Sequence, residues 1–259
     1  MPEAFGGPAA ATFPEKFSTL VFDERPDRAV VTLQRPGARN AIDLTMITEL
    51  HAVCDRLDID PKPLVITGSG GTFAAGADIG ELLERGREEA MQGINSRLFD
   101  RIARLPQPTI AAVDGPALGG GAELAYACDI RLGTPTTVFG NPEPGLGILA
   151  AAGATWRLPQ LVGLSVAKQV LLAGVLLDAD RAFQVGLLAE VVPAGEVLDR
   201  AHRLVERMLA SSALALRLTK RVLDAGGVHP VADDLAQAIL FQTQDKRDRM
   251  TAFLDRRSR

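Results

Sequence analysis

From Gly115 to Ile130 the chain reads GPALGGGAELAYACDI, and from Phe139 to Glu143 it reads FGNPE. Each stretch sets a glutamate, Glu123 or Glu143, directly behind backbone suited to wrapping a small substrate. Gly119-Gly120-Gly121 precede a helical Ala122-Glu123-Leu124-Ala125. Backbone N–H groups without a shielding Cβ therefore stand at a helix start, where unpaired donors and the helix dipole favour negative charge. Such donors make an oxyanion hole when they converge ~3 Å from a developing charge, and each is then worth about 3 kcal/mol. Gly120 is the candidate donor.

Each feature has a plainer reading. Three glycines also suit tight packing of a helix on a sheet, and a glutamate in a first helical turn also complements the dipole. Glu143 after Asn141-Pro142 is on its own an ordinary loop acid. The joint pattern carries the argument. An earlier glycine-punctuated loop, Gly68-Ser69-Gly70-Gly71-Thr72-Phe73-Ala74-Ala75-Gly76-Ala77-Asp78-Ile79, follows a strand-like run and offers donors from a second place. Two carboxylates and two N–H donors point to acid/base work on an activated carbonyl.

Working outward, Thr19–Phe22 and Ala29–Leu33 read as strands about a turn at Asp23–Asp27. Asp43–Leu57 has Leu44, Ile47, Leu50, Val53, Cys54 and Leu57 at helical spacing, with Asp43 as N-cap. Pro63–Thr67 reads as a buried strand, Glu81–Leu105 as mixed helix, Thr109–Val113 as a strand, Gly115–Gly121 as a loop, Glu123–Ala127 as a short helix and Ile130–Leu132 as a strand. Alternating strands and helices predict an α/β body with parallel neighbours. Beyond Ala154 the pattern is helical, at Leu164–Leu172, Asp178–Val185, Glu196–Leu209, Ala213–Leu223, Leu235–Phe241 and Arg249–Leu254, with Glu190–Val192 still strand-like. The predicted organisation is an N-terminal extension over 1–16, a core over 17–195 and a helical region over 196–259.

Composition narrows the function. The chain has 259 residues, 47% of them hydrophobic, enough for a substantial core. Its 28 basic and 32 acidic residues are dispersed, and one Tyr and one Trp leave little for base stacking, so no nucleic-acid partner is expected. Cys54 and Cys128 lack C-x-x-C spacing, and His51, His202 and His229 are scattered, which predicts reduced thiols, a cytoplasmic location and no metal site. Residues 1–14 lack the basic and apolar regions of a secretory signal. The longest weakly charged apolar run, Gly145–Trp156, falls short of the roughly 20 residues that span a bilayer, so no membrane partner is expected.

The strings GPALGGGAELAYACDI and FGNPE, with TFAAGADIGEL at Thr72–Leu82 and RPGARNA at Arg35–Ala41, are similar to the four signature stretches of the crotonase, or enoyl-CoA hydratase/isomerase, superfamily. They occur in the same order and spacing, and the resemblance runs from about Phe17 to Arg257. It implies an α/β fold, a spiral of ββα turns with a C-terminal helical trimerisation region, and a homotrimer or dimer of trimers. It also implies an acyl-CoA thioester substrate and no separate cofactor, coenzyme A being part of the substrate. Ala77 and Gly120 match the two oxyanion-hole donors, and Glu123 and Glu143 the two catalytic glutamates of hydratases. The implied reaction is addition of water across the 2,3 double bond of a 2-enoyl-CoA, with Glu123 as general base and Glu143 as general acid. Isomerases of the family commonly keep only the acid matching Glu143, so two glutamates favour hydration.

The resemblance assigns substrate contacts to Ala38, Arg39, Ala75, Gly76, Asp78, Ile79, Gly119, Pro142, Ala151 and Lys246. Two departures bear on the substrate. Ala150-Ala151 stands where hydratases often carry Pro-Gly, leaving the Ala151 N–H to orient the water. Gly37 and Gly80 stand where some members place lysines for the CoA phosphates, leaving Arg39, or Lys246 and Arg247, for that task. Met91–Leu105, with Ile94, Leu98 and Phe99, is expected to line the acyl end. Other readings are another reaction of the same superfamily, such as isomerisation, decarboxylation or hydrolysis, or acyl-CoA binding without turnover. Gly145–Ala150 fits a loose G-x-G-x-x-A dinucleotide pattern but follows Pro144 rather than a strand. Gly163–Ala167 resembles a degraded nucleophile elbow, but Ser165 reads better as an N-cap for Val166–Leu172.

Overall fold

The computed structural model describes residues 13, 14 and 16–257. Most of the extension read over 1–16 lies outside them, but Phe13 is described and its ring packs against those of Phe17 and Phe22, each at a centroid distance of 5.5 Å.

Among the described residues the strands form two sheets. The larger runs, in spatial order, β1 (Leu20–Glu24), β2 (Ala29–Leu33), β3 (Leu64–Gly68), β4 (Thr109–Val113), β6 (Ile130–Gly133) and β9 (Glu190–Val191). β1 pairs antiparallel with β2, and every other neighbour pair is parallel. The smaller sheet holds β5 (Pro116–Leu118), β7 (Val138–Gly140) and β8 (Leu177–Asp178). β3 and β4 read as nearly unbroken apolar runs because both of their faces are covered, as a parallel sheet between helices requires.

The helices are α1 (Leu44–Ile59), α2 (Ile79–Glu84), α3 (Arg87–Gln92), α4 (Ile94–Ala103), α5 (Gly120–Ala127), α6 (Ala154–Ala173), α7 (Ala179–Gln184), α8 (Val197–Leu209), α9 (Ala213–Asp224), α10 (Val231–Phe241) and α11 (Gln244–Arg257). The spiral is visible in the pairing. β4 lies in the large sheet, β5 in the small one, and α5 follows; β6, β7 and α6 repeat the sequence one turn on. Single bridges, Ile42 to Ala77 and Ala74 to Ala117, continue the second layer through the earlier turns. The fold is thus the α/β spiral of ββα turns, with a helical C-terminal region.

Asp43 caps α1 by accepting from the Met46 N–H at 2.8 Å, as its sequence position predicts. Ile47, Leu50, Val53, Cys54 and Leu57 are buried, but Leu44, the first residue of the helix, is exposed. Three readings change. Gly115–Gly121 is not one loop: Pro116–Leu118 pairs with β7, and the helix already begins at Gly120. Glu81–Leu105 resolves into α2, α3 and α4, broken where Gly86 and Gly93 cap successive helices. Ser165 is not an N-cap. It lies within α6, just after Gly163, whose φ of 78° interrupts the helix.

α8 lies C-terminal to the boundary drawn at residue 196, yet it buries Val197, Ala201 and Val205 against Val65, Ile110, Ala112 and Leu132 of the large sheet. α9 is tied to the same body by Lys220, whose Nζ donates to Asp129 at 2.7 Å. α10 and α11 expose Leu235, Ile239, Met250, Phe253 and Leu254. Among the described residues no helix is long and apolar enough to cross a membrane.

Candidate functional site

The loop after β3 is stretched between two partners. Gly76 accepts from the Ile42 N–H at 2.8 Å, and the Asp78 N–H donates to the Ile42 carbonyl at 3.0 Å. Leu118 donates to the Ala74 carbonyl at 3.0 Å from the other side. Successive N–H groups of an extended segment point in opposite directions, so the Ala77 N–H turns away from Ile42 and toward the start of α5. A β-carbon placed on Gly120 would lie 3.3 Å from the Ala77 nitrogen. Among the described residues neither the Ala77 nor the Gly120 N–H has a hydrogen-bond partner in the chain. Two donors without a partner among the described residues thus stand side by side on the wall of one cavity.

The three glycines of the motif do three different things. Gly119 turns the chain with φ 51°, and a side chain there would meet Glu143 Oε1 at 3.1 Å. Gly120 supplies a donor without covering it. Gly121 lets α5 lie directly on the Ala74 backbone, whose carbonyl oxygen is 2.2 Å from where a β-carbon would stand.

Glu123 projects from the first turn of α5 and is only 3% exposed. Its Oε1 accepts from the Ala152 N–H at 2.8 Å and the Ala154 N–H at 3.0 Å. Burial pushes its carboxyl up to about 7, backbone donors oppose that rise, and the neighbouring Glu143 charge adds to it. Glu143 opens a 3-10 turn, Glu143–Leu146, and is 7% exposed. Burial raises its carboxyl too. Asn141 Nδ2 approaches Glu143 Oε1 at 3.4 Å, and Asn141 is held in turn by the Tyr126 hydroxyl at 3.2 Å. Among the described residues Glu143 Oε2 is buried with no hydrogen-bond partner.

Both glutamates and both N–H donors open on one cavity of about 420 Å³. Ala75, Gly76, Ala77, Ile79, Gly119, Gly120, Glu123, Pro142, Glu143 and Ala151 all line it, bringing most of the residues singled out from the sequence to one place. Four do not line it. Asp78 caps α2 and pairs with Arg35 at 3.2 Å. Ala38 lies in the 3-10 turn Pro36–Ala38, and Arg39 contributes its carbonyl to the Ala75 N–H. Lys246 sits on α11, its Nζ 4.7 Å from the centre of the Phe241 ring. Of the expected acyl-end residues, Ile94 lines the cavity, while Leu98 and Phe99 are buried in the core instead. Ala151 is on the wall, but the N–H groups that reach Glu123 belong to Ala152 and Ala154.

Sequence reading missed Asn141, although it lies inside the quoted FGNPE, and missed Arg85, Asn95 and Ser96 on the wall. No periodicity marks them, because they gather from a helix end and a helix start. Gly145–Ala150, the loose dinucleotide string, supplies the end of the 3-10 turn and the cavity lining at Leu146, Ile148 and Leu149. Among the described residues no group of three or more His, Cys, Asp or Glu side chains is placed to hold a metal. Chemically, the site can polarise a carbonyl at the N–H pair and exchange protons with an adjacent carbon skeleton from two sides.

The family described as enoyl-CoA hydratase/isomerase matches residues 27–259. A crotonyl-CoA hydratase of Syntrophomonas wolfei is 37% identical over 251 residues, covering 93% of this chain and 96% of that one. A short-chain-enoyl-CoA hydratase of Clostridium acetobutylicum is 35% identical over 254 residues, covering 93% and 97%. Among solved structures, that of Pseudomonas aeruginosa DspI superposes with a TM-score of 0.89 at 30% identity, over 95% of this chain and 97% of that one.

Proposed function

The chain belongs to the enoyl-CoA hydratase/isomerase family, and from that premise we propose that it hydrates 2-enoyl-CoA thioesters. The observation that carries the reading is the convergence of the Ala77 and Gly120 N–H groups with Glu123 and Glu143 on one cavity.

The thioester oxygen accepts from both N–H groups, which draws electron density from C3 and stabilises the enolate that forms as oxygen adds there. A water is held between the glutamates. Two carboxyls raised by burial on the wall of one cavity carry a shared proton, and the hydrogen bonds favour one placement of it. Two N–H donors favour the anion of Glu123, whereas the unpartnered Glu143 Oε2 favours the neutral acid. Glu123 then takes one proton from water as its oxygen bonds to C3, and Glu143 gives its proton to C2. The pair ends with one proton, as it began.

As proposed, the reaction draws on the thioester, water and the chain's own groups, with no further cofactor. The cytoplasm is the proposed location. A trimer or dimer of trimers is the proposed assembly, with the exposed apolar side chains of α10 and α11 covered by neighbouring subunits. The test is loss of the conjugated enoyl-thioester absorbance with crotonyl-CoA. Tight binding of the thioester with no loss of absorbance would move the protein to another reaction of the family or to binding alone.

A further inference from the structure

Three side chains on the cavity wall are polar without being acidic: Arg85, Asn95 and Ser96. Ser96 turns back, its hydroxyl donating to the Gly93 carbonyl at 3.0 Å. Arg85 is clamped, with Nη1 donating to Asn95 Oδ1 at 3.2 Å, Nη2 to Glu81 Oε2 at 3.3 Å, and Nε buried. A guanidinium has donors only, so the atom it meets on Asn95 must be the amide oxygen. The amide NH2 therefore faces the other way. Its Nδ2 lies 3.8 Å from where a β-carbon on Gly120 would stand, and among the described residues the only hydrogen bond of the Asn95 side chain is the one its Oδ1 accepts from Arg85.

We propose that Asn95 Nδ2 is a specificity-determining donor for the acyl group, and that the substrate is a 2-enoyl thioester bearing a neutral accepting oxygen, a hydroxyl, close to the double bond. The inference rests on the hydratase reading and names the substrate class for that site. Position decides how near the oxygen sits: the amide stands next to the N–H pair that holds the thioester carbonyl, so it meets the first carbons beyond C3. Charge decides that the oxygen is neutral. Arg85 is balanced by Glu81, and Glu89, Glu123 and Glu143 line the same cavity, so a carboxylate on the acyl chain meets a predominantly acidic wall. Beyond the amide the lining is hydrocarbon, from Ile79, Leu82, Ile94 and Leu149. A plain alkenyl chain would leave the amide donor facing carbon, which a site disfavours relative to a chain that accepts from it.

The experiment compares 2-hexenoyl-CoA with 4-hydroxy- and 5-hydroxy-2-hexenoyl-CoA, in wild type, Asn95→Leu and Arg85→Met. Wild type is expected to favour one hydroxylated thioester in kcat/KM by about 3- to 10-fold, the size of one neutral hydrogen bond. Asn95→Leu should erase or reverse that ratio. Arg85→Met should reduce it partway, because the amide is then free to turn. An Asn95→Leu enzyme that shifts all three substrates by the same factor, or a wild type that favours the plain chain, overturns the proposal. Calorimetric binding of hexanoyl-CoA and the two hydroxyhexanoyl-CoA thioesters gives the same ratio without turnover. If wild type hydrates none of the substrates the hydratase reading fails, and the binding ratios of wild type and Asn95→Leu still decide on Asn95: an equal ratio in both sinks it.

Discussion

Gly120 and Ala77 meet so closely that a β-carbon on Gly120 would stand 3.3 Å from the Ala77 nitrogen. The neighbouring Gly121 is tighter still, but against structure rather than substrate, with the Ala74 carbonyl oxygen 2.2 Å from its missing β-carbon. The two substitutions therefore separate chemistry from folding. Gly120→Ala is expected to fold with a melting temperature near wild type while losing about 100-fold in kcat, the scale of a compromised oxyanion donor. Gly121→Ala is expected to lose several kcal/mol of stability or to remain insoluble, since backbone must move to admit the methyl. Thermal unfolding and crotonyl-CoA turnover, measured on both variants, check the pair; equal behaviour would refute the assignment.

Replacing either carboxylate should stop the reaction by a different half. Glu123→Gln and Glu143→Gln each remove a proton-transfer group and are expected to lower kcat by about 10²- to 10⁴-fold. In the Glu123→Gln variant the side-chain amide oxygen can still accept from Ala152 and Ala154, so binding of a saturated acyl-CoA should stay within a few-fold of wild type. Steady-state kinetics with isothermal titration tests this, and an active single variant would show that the other glutamate suffices.

Stability should depend on pH through Glu123 in a fixed direction. Its carboxyl ionises near 4.5 when unfolded and near 7 when folded. Between those values the native state holds more protons than the unfolded one, so this group's contribution is fully present below the lower value and is lost as pH rises through the upper one. Relative to Glu123→Gln, wild type is expected to lose about 3 kcal/mol of stability between about pH 4 and about pH 8. Denaturant titrations of both proteins across that range read the difference, and a flat difference would contradict a raised carboxyl.

Asn40 holds the site from behind. It is fully buried, donates to the carbonyls of Ser69 at 2.9 Å and Thr72 at 2.7 Å, and accepts from the Arg35 N–H at 2.9 Å. It therefore pins the RPGARNA turn to the loop that carries Ala77. Asn40→Ala should cost about 2–3 kcal/mol, because it strands buried backbone groups. Chemical denaturation measures the loss, and a change under about 0.5 kcal/mol would show that water replaces the side chain.

Arg157 links the Glu123 cradle to α4. Its Nη2 pairs with Asp100 at 3.2 Å, and its Nη1 is buried with no hydrogen-bond partner among the described residues, 2.6 Å from where a β-carbon on Gly153 would lie. Asp100→Asn is expected to destabilise by about 1–2 kcal/mol, the half-exposed carboxylate being partly replaced by water. It should also lower kcat several-fold through the Ala152–Ala154 backbone. Paired measurements of unfolding and turnover check it; a stability loss without any kinetic effect would confine Arg157 to structure.

The sequence alone determined what is local. Alternating strand and helix periodicity, the N-cap at Asp43 and the glycines ahead of Glu123 all act over a few residues, so they were legible in order along the chain. The same holds for Glu143 after Asn141-Pro142. The tertiary structure alone decided what is convergent. The pairing of Ala77 with Gly120 depends on a bridge from Ile42, and the cradle of Glu123 on the N–H groups of Ala152, in the turn before α6, and Ala154, its first residue. The orientation of the Asn95 amide depends on an arginine ten positions earlier, at the end of another helix. Ala38, Arg39 and Asp78 show the converse, since residues inside a motif can lie off the cavity that its neighbours line. Spacing along a chain fixes which face of an element a residue occupies, but only the packing of elements fixes which faces meet.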